Sequence, residues 1–148
     1  MSQSLAKVIV HIVYSTKNRT QWLKDKDIRA ELYAYNASIL SKSMDSPVML
    51  INGASDHIHI MCLLSRKFSI MDIIKKSKTE TSKWLKRKSP ELKDFRWQSG
   101  YGIFSVSESR SKSAKIYISN QEEHHKKHLY HIPGRIPRAL QASWTVNR

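Results

Sequence analysis

Residues 48–64 read VMLINGASDHIHIMCLL, and the prediction of the architecture starts from this segment. Two short apolar runs, Val48–Ile51 and His57–Leu64, are separated by a polar segment that begins with the turn-forming pair Asn52-Gly53. This pattern predicts a β-hairpin whose turn lies at the Asn-Gly pair. Side chains alternate between the two faces of a strand, so both histidines of His57-Ile58-His59 leave one face and the isoleucine points into the core.

The segments on either side of the hairpin alternate between strand and helix patterns. A β-branched run within Ala6–Lys17 predicts a central strand that is buried on both faces. Apolar residues at helical spacing predict two helices, over Asp25–Ser43 and Ser69–Arg87. A short strand over Tyr101–Ser107 and a third helix over Ser109–Lys127 complete the chain order. The order β-α-β-β-α-β plus a C-terminal helix predicts an α+β, ferredoxin-like split βαβ fold with an antiparallel sheet.

The length and composition are those of one compact domain. The chain has 148 residues, of which 40% are hydrophobic, and this is enough to form a core. The single cysteine, Cys62, excludes a disulfide framework and a cysteine-rich zinc site, and it is typical of a reducing compartment. The apolar run Val8–Val13 is too short to span a bilayer, and no signal-peptide pattern precedes it. We therefore expect a cytoplasmic location.

The charge of the chain indicates a polyanionic partner. Lys and Arg number 26 against 12 Asp and Glu, which gives a formal net charge of +14. Nucleic acid is the first candidate for the partner, and an anionic membrane surface is the second. Eleven of the basic residues lie between Arg66 and Arg96, where only four acids occur. The residues that we predict to bind nucleic acid are Arg66, Lys75, Lys76, Lys83, Arg87, Arg96 and Trp97.

The same residues also have structural interpretations. A lysine-rich helix face can simply be solvated, and tryptophans are common in cores. Trp97 fits base stacking and core packing about equally well, whereas Trp84 fits core packing better.

Two residues of the predicted third helix strengthen the case for a chemical role of the histidine pair. Tyr117 and Gln121 are four residues apart and therefore share one helical face, with His124 on the same side. A histidine pair alone, or a helical tyrosine alone, is often only structural. Together they form a set that fits metal-assisted attack on a phosphodiester, because a tyrosine hydroxyl with a pKa of about 10 needs a cation at the phosphate.

The sequence also resembles a known family. His57-Ile58-His59 resembles the HUH motif (His, bulky hydrophobic, His). The segment from Tyr117 to Gln121, followed by His124-His125-Lys126-Lys127, resembles the catalytic helix of the single-tyrosine transposases of the insertion-sequence 200/605 family. His11–Arg19 is similar to the first strand of that family, and Trp97–Val106 is similar to its last strand. The resemblance runs in order from about Lys7 to Lys127.

This resemblance implies a mechanism. Tyr117 is the expected catalytic nucleophile, which attacks single-stranded DNA and leaves a 5′-phosphotyrosine and a free 3′-hydroxyl. His57, His59 and Gln121 are the expected ligands of a divalent metal, Mg²⁺ or Mn²⁺. The implied substrates are transposon ends that bear hairpins, and the implied assembly is a homodimer in which the tyrosine helix acts in trans.

The end of the chain departs from the family. We expect a single HUH transposase domain over residues 1–127 and an irregular tail over 128–148, which contains Pro133, Gly134 and Pro137 but no acid.

Two other functions compete with this reading. One is a non-catalytic RNA- or single-strand-binding ferredoxin-like module, because Gly100–Phe104 partly resembles an RNA-recognition strand. The other is a metal-dependent phosphodiester hydrolase that uses His57, His59 and His124, with water as the nucleophile.

Overall fold

The computed structural model of the chain describes residues 4–121. Within that range the strands are β1 (Ile9–Ser15), β2 (Val48–Gly53), β3 (His57–Leu63) and β4 (Gly102–Val106), and the helices are α1 (Lys26–Ser38), α2 (Ile70–Lys88) and α3 (Ser111–Ser119). A π-helical turn, Ile39–Ser43, extends α1, and 3₁₀ turns cover Lys17–Arg19, Pro90–Leu92 and Glu108–Arg110.

The four strands form one antiparallel sheet in the order β2-β3-β1-β4. The two inner strands are β1 and β3, and their register pairs Ile12 with Ile60 and Val13 with His59. Every residue of β1 is buried, as expected for a central strand. This order, with helices between β1 and β2 and between β3 and β4, confirms the predicted ferredoxin-like α+β fold.

The hairpin forms, but its turn is not at the Asn-Gly pair. Asn52 and Gly53 are the last residues of β2, and the reversal takes place over residues 54–56, where the Ala54 amide donates to the His57 carbonyl at 3.0 Å. A Cβ atom on Gly53 would lie 2.2 Å from that carbonyl oxygen, so the glycine is needed for close backbone approach and not for a positive φ. The prediction of a turn at Asn52-Gly53 was therefore wrong.

The helix starts follow local capping rules. Asp25 accepts hydrogen bonds from the amides of Asp27 and Ile28 at the start of α1, and Ser69 accepts one from Asp72 at the start of α2. The predicted third helix begins later than Ser109, because a 3₁₀ turn precedes α3. It also ends earlier than predicted as an unbroken helix, because Asn120 has non-helical φ and ψ and caps α3 after Ser119, and its predicted continuation over 122–127 lies outside the described residues.

One face of the sheet packs against α1 and α2. This face carries the main core, which contains apolar side chains of the two inner strands, of the turn after α1 and of α2. Its fully buried members include Ile12, Tyr14, Ile58, Ile60, Leu40 and Ile73.

A buried polar network sits inside this core. The Asn36 side-chain amide donates to the Tyr14 hydroxyl at 3.0 Å, and the Ser77 hydroxyl donates to the Asn36 carbonyl oxygen at 2.8 Å. Because the single Ser77 proton is used there, the Tyr14 hydroxyl donates to Ser77 at 2.7 Å and closes the ring. Burial raises the pKa of Tyr14 to about 12, although its hydrogen bonds with Ser77, Asn36 and Thr81 oppose that rise.

The other face of the sheet packs against α3. Ala114 and Ile118 of α3 are buried against Ile9 and Met61. The Asn52 side chain also donates to two carbonyls of the last turn of α3, those of Ile118 and Ser119, each at 3.0 Å. These contacts fix the helix that carries Tyr117 over the strand that carries the two histidines.

Candidate active site

His57 and His59 lie side by side on the α3 face of β3, as their spacing predicts. Each has 4% of its surface exposed, and their ring centroids are 5.0 Å apart with nearly perpendicular planes. Ile58 and Ile60 lie in the core on the other face. The alternation of the strand therefore presents two imidazoles to the space beneath α3.

His57 is held by an acidic neighbour. Its Nδ1 is 2.7 Å from Asp56 Oδ1, and the second carboxylate oxygen, Oδ2, accepts from Arg19 Nε at 3.0 Å. Burial alone would raise the pKa of Asp56, but the hydrogen bond and charge of His57, together with Arg19, lower it to about 2. The carboxylate is thus ionised, and it fixes the orientation of the His57 ring.

His59 is held by a third histidine that the sequence reasoning did not include in the site. His11 Nε2 lies 2.8 Å from His59 Nδ1, and both rings are buried. His11 lies on β1 opposite Met61 and faces α3. The signal was present in the sequence, because His11 is the one polar residue inside the apolar run Val8–Val13.

Gln121 faces the two histidines from the end of α3. Its Nε2 donates to the Tyr117 carbonyl at 3.1 Å, so its oxygen Oε1 is the atom that points to His57 Nε2, at 3.2 Å. Gln121 also interacts with the side chain of His59 and opposes the lowering of its pKa. The predicted metal ligands His57, His59 and Gln121 are therefore brought together.

This donor set fits a divalent cation. An amide oxygen and an imidazole nitrogen 3.2 Å apart match two neighbouring ligands of an octahedral ion, which lie about 3 Å apart when each is about 2.1 Å from the metal. An amide oxygen can only accept, so the contact requires either an N–H proton on His57 Nε2 or a metal ion bound by both atoms. Within residues 4–121, no group of three or more His, Cys, Asp and Glu is arranged to hold a metal, so the site depends on Gln121.

The electrostatics favour a neutral His59. Burial, reinforced by the nearby His11, His57 and Arg19, lowers the pKa of His59 well below its usual value, although Gln121 opposes the shift. A neutral imidazole keeps the lone pair that a metal ligand must supply.

Tyr117 lies over this set, as the spacing of Tyr117 and Gln121 predicts. Its ring is half-buried, with its centroid 5.6 Å from that of His59 and 6.1 Å from that of His11, and nearly perpendicular to both. Tyr117 and the three predicted metal ligands thus lie together in one chain. His124, which the hydrolase interpretation needs, lies outside the described residues.

The predicted DNA-binding residues are on the other layer of the molecule. Lys75, Lys76, Lys83 and Arg87 are exposed on α2, which packs on the sheet face opposite the histidines. Arg66 and Arg96 are also exposed, in the segments that flank α2. A DNA strand would have to pass around the edge of the sheet to touch both this surface and Tyr117.

Trp84 and Trp97 are both half-buried and pack against the apolar cores. The Trp97 ring contacts Tyr14 and Phe95 edge-to-face, with centroid distances of 4.7 and 4.8 Å, and its indole N–H donates to Thr81 at 3.0 Å. This placement favours core packing over base stacking for Trp97. Trp84 stacks on Tyr35 at 5.5 Å and packs against a second small core.

The fold and the site together define a class of protein in which a ferredoxin-like sheet carries a His-x-His pair beneath a tyrosine-bearing helix. The chain matches the family described as transposase IS200 like over residues 4–121, and it belongs to that family.

Solved structures are consistent with this assignment. A candidate transposase from Deinococcus radiodurans R1 superposes with a TM-score of 0.62 at 22% identity, over 82% of this chain and 98% of that one. A REP-associated tyrosine transposase bound to a REP hairpin superposes with a TM-score of 0.57 at 11% identity, over 88% of this chain and 74% of that one. At these identities the likeness shows the fold. A search of curated proteins found no match.

None of the helices between residues 4 and 121 has the length and hydropathy needed to cross a membrane.

Proposed function

We propose that this transposase cleaves and rejoins single-stranded DNA at hairpin-bearing transposon ends, with Tyr117 as the nucleophile and a divalent metal at His57, His59 and Gln121. The observation that carries the proposal is the convergence of both imidazoles on the Gln121 amide directly beneath the Tyr117 ring. The family supplies the DNA transposase activity, and the site geometry supports the finer mechanism.

In the cleavage step, the Tyr117 hydroxyl oxygen bonds to the phosphorus and the bond from phosphorus to the 3′ oxygen breaks. The hydroxyl proton is released, and the departing 3′ oxygen takes up a proton to become a hydroxyl. When bound, Mg²⁺ or Mn²⁺ would polarise the phosphate and stabilise the charge that develops on it. The residues of this chain orient the ligands, and the packing of Ala114 and Ile118 holds Tyr117 above them.

Rejoining is the reverse reaction with a different DNA end. A second 3′-hydroxyl attacks the phosphotyrosine, a phosphodiester forms, and Tyr117 leaves with a proton. Since one phosphoester bond replaces another, the reaction needs no nucleotide triphosphate.

The proposed partner is single-stranded DNA that folds into hairpins. Net positive charge and the exposed cations of α2 support a polyanionic partner, and a structural neighbour is bound to a REP hairpin. A homodimer and a cytoplasmic location are part of the same proposal.

Whether the tyrosine acts in cis or in trans is open to a direct test. The described chain brings Tyr117 onto its own sheet, which supports action in cis, whereas the resemblance implies exchange of the helix between subunits. We would mix Tyr117→Phe protein with His57→Ala, His59→Ala protein. Cleavage restored by mixing supports action in trans, and two variants that stay inactive together support action in cis.

The experiment that tests the function uses 5′- and 3′-labelled single-stranded hairpin DNA with Mn²⁺. We expect a covalent protein–DNA adduct that Tyr117→Phe abolishes. The matched control is Tyr101→Phe, which removes the hydroxyl of a tyrosine outside the site, 39% exposed, and should leave the adduct intact.

The competing functions give different results in the same experiment. Undiminished cleavage by Tyr117→Phe without an adduct would overturn the tyrosine mechanism and favour a hydrolase. Tight binding of single strands with no cleavage of any hairpin would favour a non-catalytic binding module.

A further inference from the structure

Both proposed histidine ligands are held at the same ring atom. His57 Nδ1 contacts Asp56 at 2.7 Å, and His59 Nδ1 contacts His11 at 2.8 Å, so each ring leaves its Nε2 for the site; that of His57 lies 3.2 Å from Gln121 Oε1. Two neighbouring ligands thus share one arrangement although their partners differ in charge and come from different parts of the chain. The contact at Nδ1 in both rings indicates that the site needs this ring orientation, and that packing alone does not explain it.

The contact between His11 and His59 fixes where protons can lie. Only one proton fits between the two nitrogens, so it belongs either to His59 Nδ1 or to His11 Nε2. If His11 carried it, a neutral His59 would hold its own proton on Nε2, on the side that faces Gln121. If His59 carries it on Nδ1, the Nε2 lone pair faces the site.

We propose that His11 is a positioning residue that accepts the Nδ1 proton of His59, so that His59 presents an unprotonated Nε2 to the cation. Asp56 does the same for His57. The inference rests on the proposed function, because it gives the two lone pairs a metal ion to bind. Outer partners of this kind typically change metal affinity by about 10- to 100-fold when they are removed.

The partner of His57 is itself anchored by a strained turn. Asn18 and Arg19 both have φ values of 57°, in the left-handed region that non-glycine residues seldom adopt. This turn brings Arg19 Nε to 3.0 Å from Asp56 Oδ2. Strain retained beside a site is what a positioning role predicts, since the surrounding structure must hold the residue in place.

The test begins with the tautomer of each histidine. Long-range ¹⁵N–¹H spectra of the full chain with saturating Mg²⁺ at pH 7.5 separate Nδ1–H from Nε2–H histidines, with signals assigned from variants that each replace one histidine. We expect His59 and His11 both to carry the proton on Nδ1. A His59 that carries it on Nε2 would overturn the proposal.

The second readout is Mn²⁺ affinity, measured by calorimetry on the same protein. His11→Phe keeps the ring volume but removes the acceptor, so we expect a 10- to 100-fold weaker affinity and a mixture of His59 tautomers. His11→Gln restores an acceptor oxygen and should recover most of the affinity, which also covers the case in which the phenylalanine variant does not fold. Phe104→Leu is the packing control, because it changes a neighbouring side chain on the same sheet face, with its ring 6.4 Å from that of His11, and should leave affinity unchanged.

The outcomes separate this inference from the proposed function. Unchanged Mn²⁺ affinity in folded His11→Phe would overturn the positioning role of His11. Wild-type protein that binds no Mn²⁺ would overturn the metal site of the proposed function, whereas wild-type protein that binds the metal but keeps the His59 proton on Nε2 would overturn this inference alone.

Discussion

Replacing Asp56 by asparagine removes one charge from the site but keeps an oxygen that can accept from His57. In the wild-type protein the pKa of Asp56 is about 2, against 3.8 for an unperturbed aspartate. A folded-state pKa below the unfolded one stabilises the fold above the unfolded pKa. That stability is lost as the pH falls through the folded pKa.

The magnitude follows from the size of the shift. A depression from 3.8 to about 2 corresponds to about 2 kcal/mol of unfolding free energy at pH 7, of which roughly half remains at pH 3. Asp56 is 5% exposed, so solvent should screen its contacts with His57 and Arg19 only weakly. We therefore expect the stability difference between wild type and Asp56→Asn to shrink by about 1 kcal/mol between pH 7 and pH 3.

Urea unfolding followed by tryptophan fluorescence at each pH measures this difference. Asp25→Asn is the matched control, because Asp25 is an exposed helix cap whose carboxylate accepts from the amides of Asp27 and Ile28, and its stability difference should depend less on pH. A difference for Asp56→Asn that stays constant from pH 7 to pH 3 would refute the assignment of the low pKa to the contacts with His57 and Arg19.

Three further predictions concern the core, the turn and the charged surface. Tyr14→Phe should lower the free energy of unfolding by about 1–3 kcal/mol, measured by urea unfolding, because it leaves a buried amide donor without its acceptor. Gly53→Ala should weaken both stability and Mn²⁺ affinity, since its Cβ would meet backbone at 2.2 Å, whereas Gly100→Ala has open space and should cost only about 1 kcal/mol from its positive φ. Charge removal at Lys75 and Lys83 should flatten the salt dependence of single-strand binding by about 0.7 per lost phosphate contact, in a fluorescence anisotropy titration, with Mn²⁺ affinity unchanged. An unchanged slope would exclude α2 from the DNA-binding surface.

Much of the fold could be predicted because its signals are local. The apolar runs and the alternation of His57 and His59 each depend on residues close in sequence, and each is confirmed. The four-residue spacing of Tyr117 and Gln121 is equally local, and it places both residues over the histidines.

The features that the sequence did not reveal depend on distant contacts. The sequence pair Asn52-Gly53 predicts a turn. In the structure, the Asn52 side chain instead binds the Ile118 carbonyl at the end of α3, 66 residues away. His11 joins the site only because β1 lies beside β3 in the sheet, and Arg19 reaches Asp56 only through the turn that follows β1. The basic residues of α2 could be counted from the sequence. The sequence did not reveal on which face of the sheet α2 packs.

We propose that Tyr117, above His57, His59 and Gln121, forms a covalent bond with DNA. The most direct measurement is mass spectrometry of proteolysed protein after reaction with a single-stranded hairpin substrate and Mn²⁺. We predict a nucleotide adduct on the peptide that contains Tyr117, linked through a 5′ phosphate, and its loss in His57→Ala. An adduct on another tyrosine, or cleaved DNA with no protein adduct, would contradict the account.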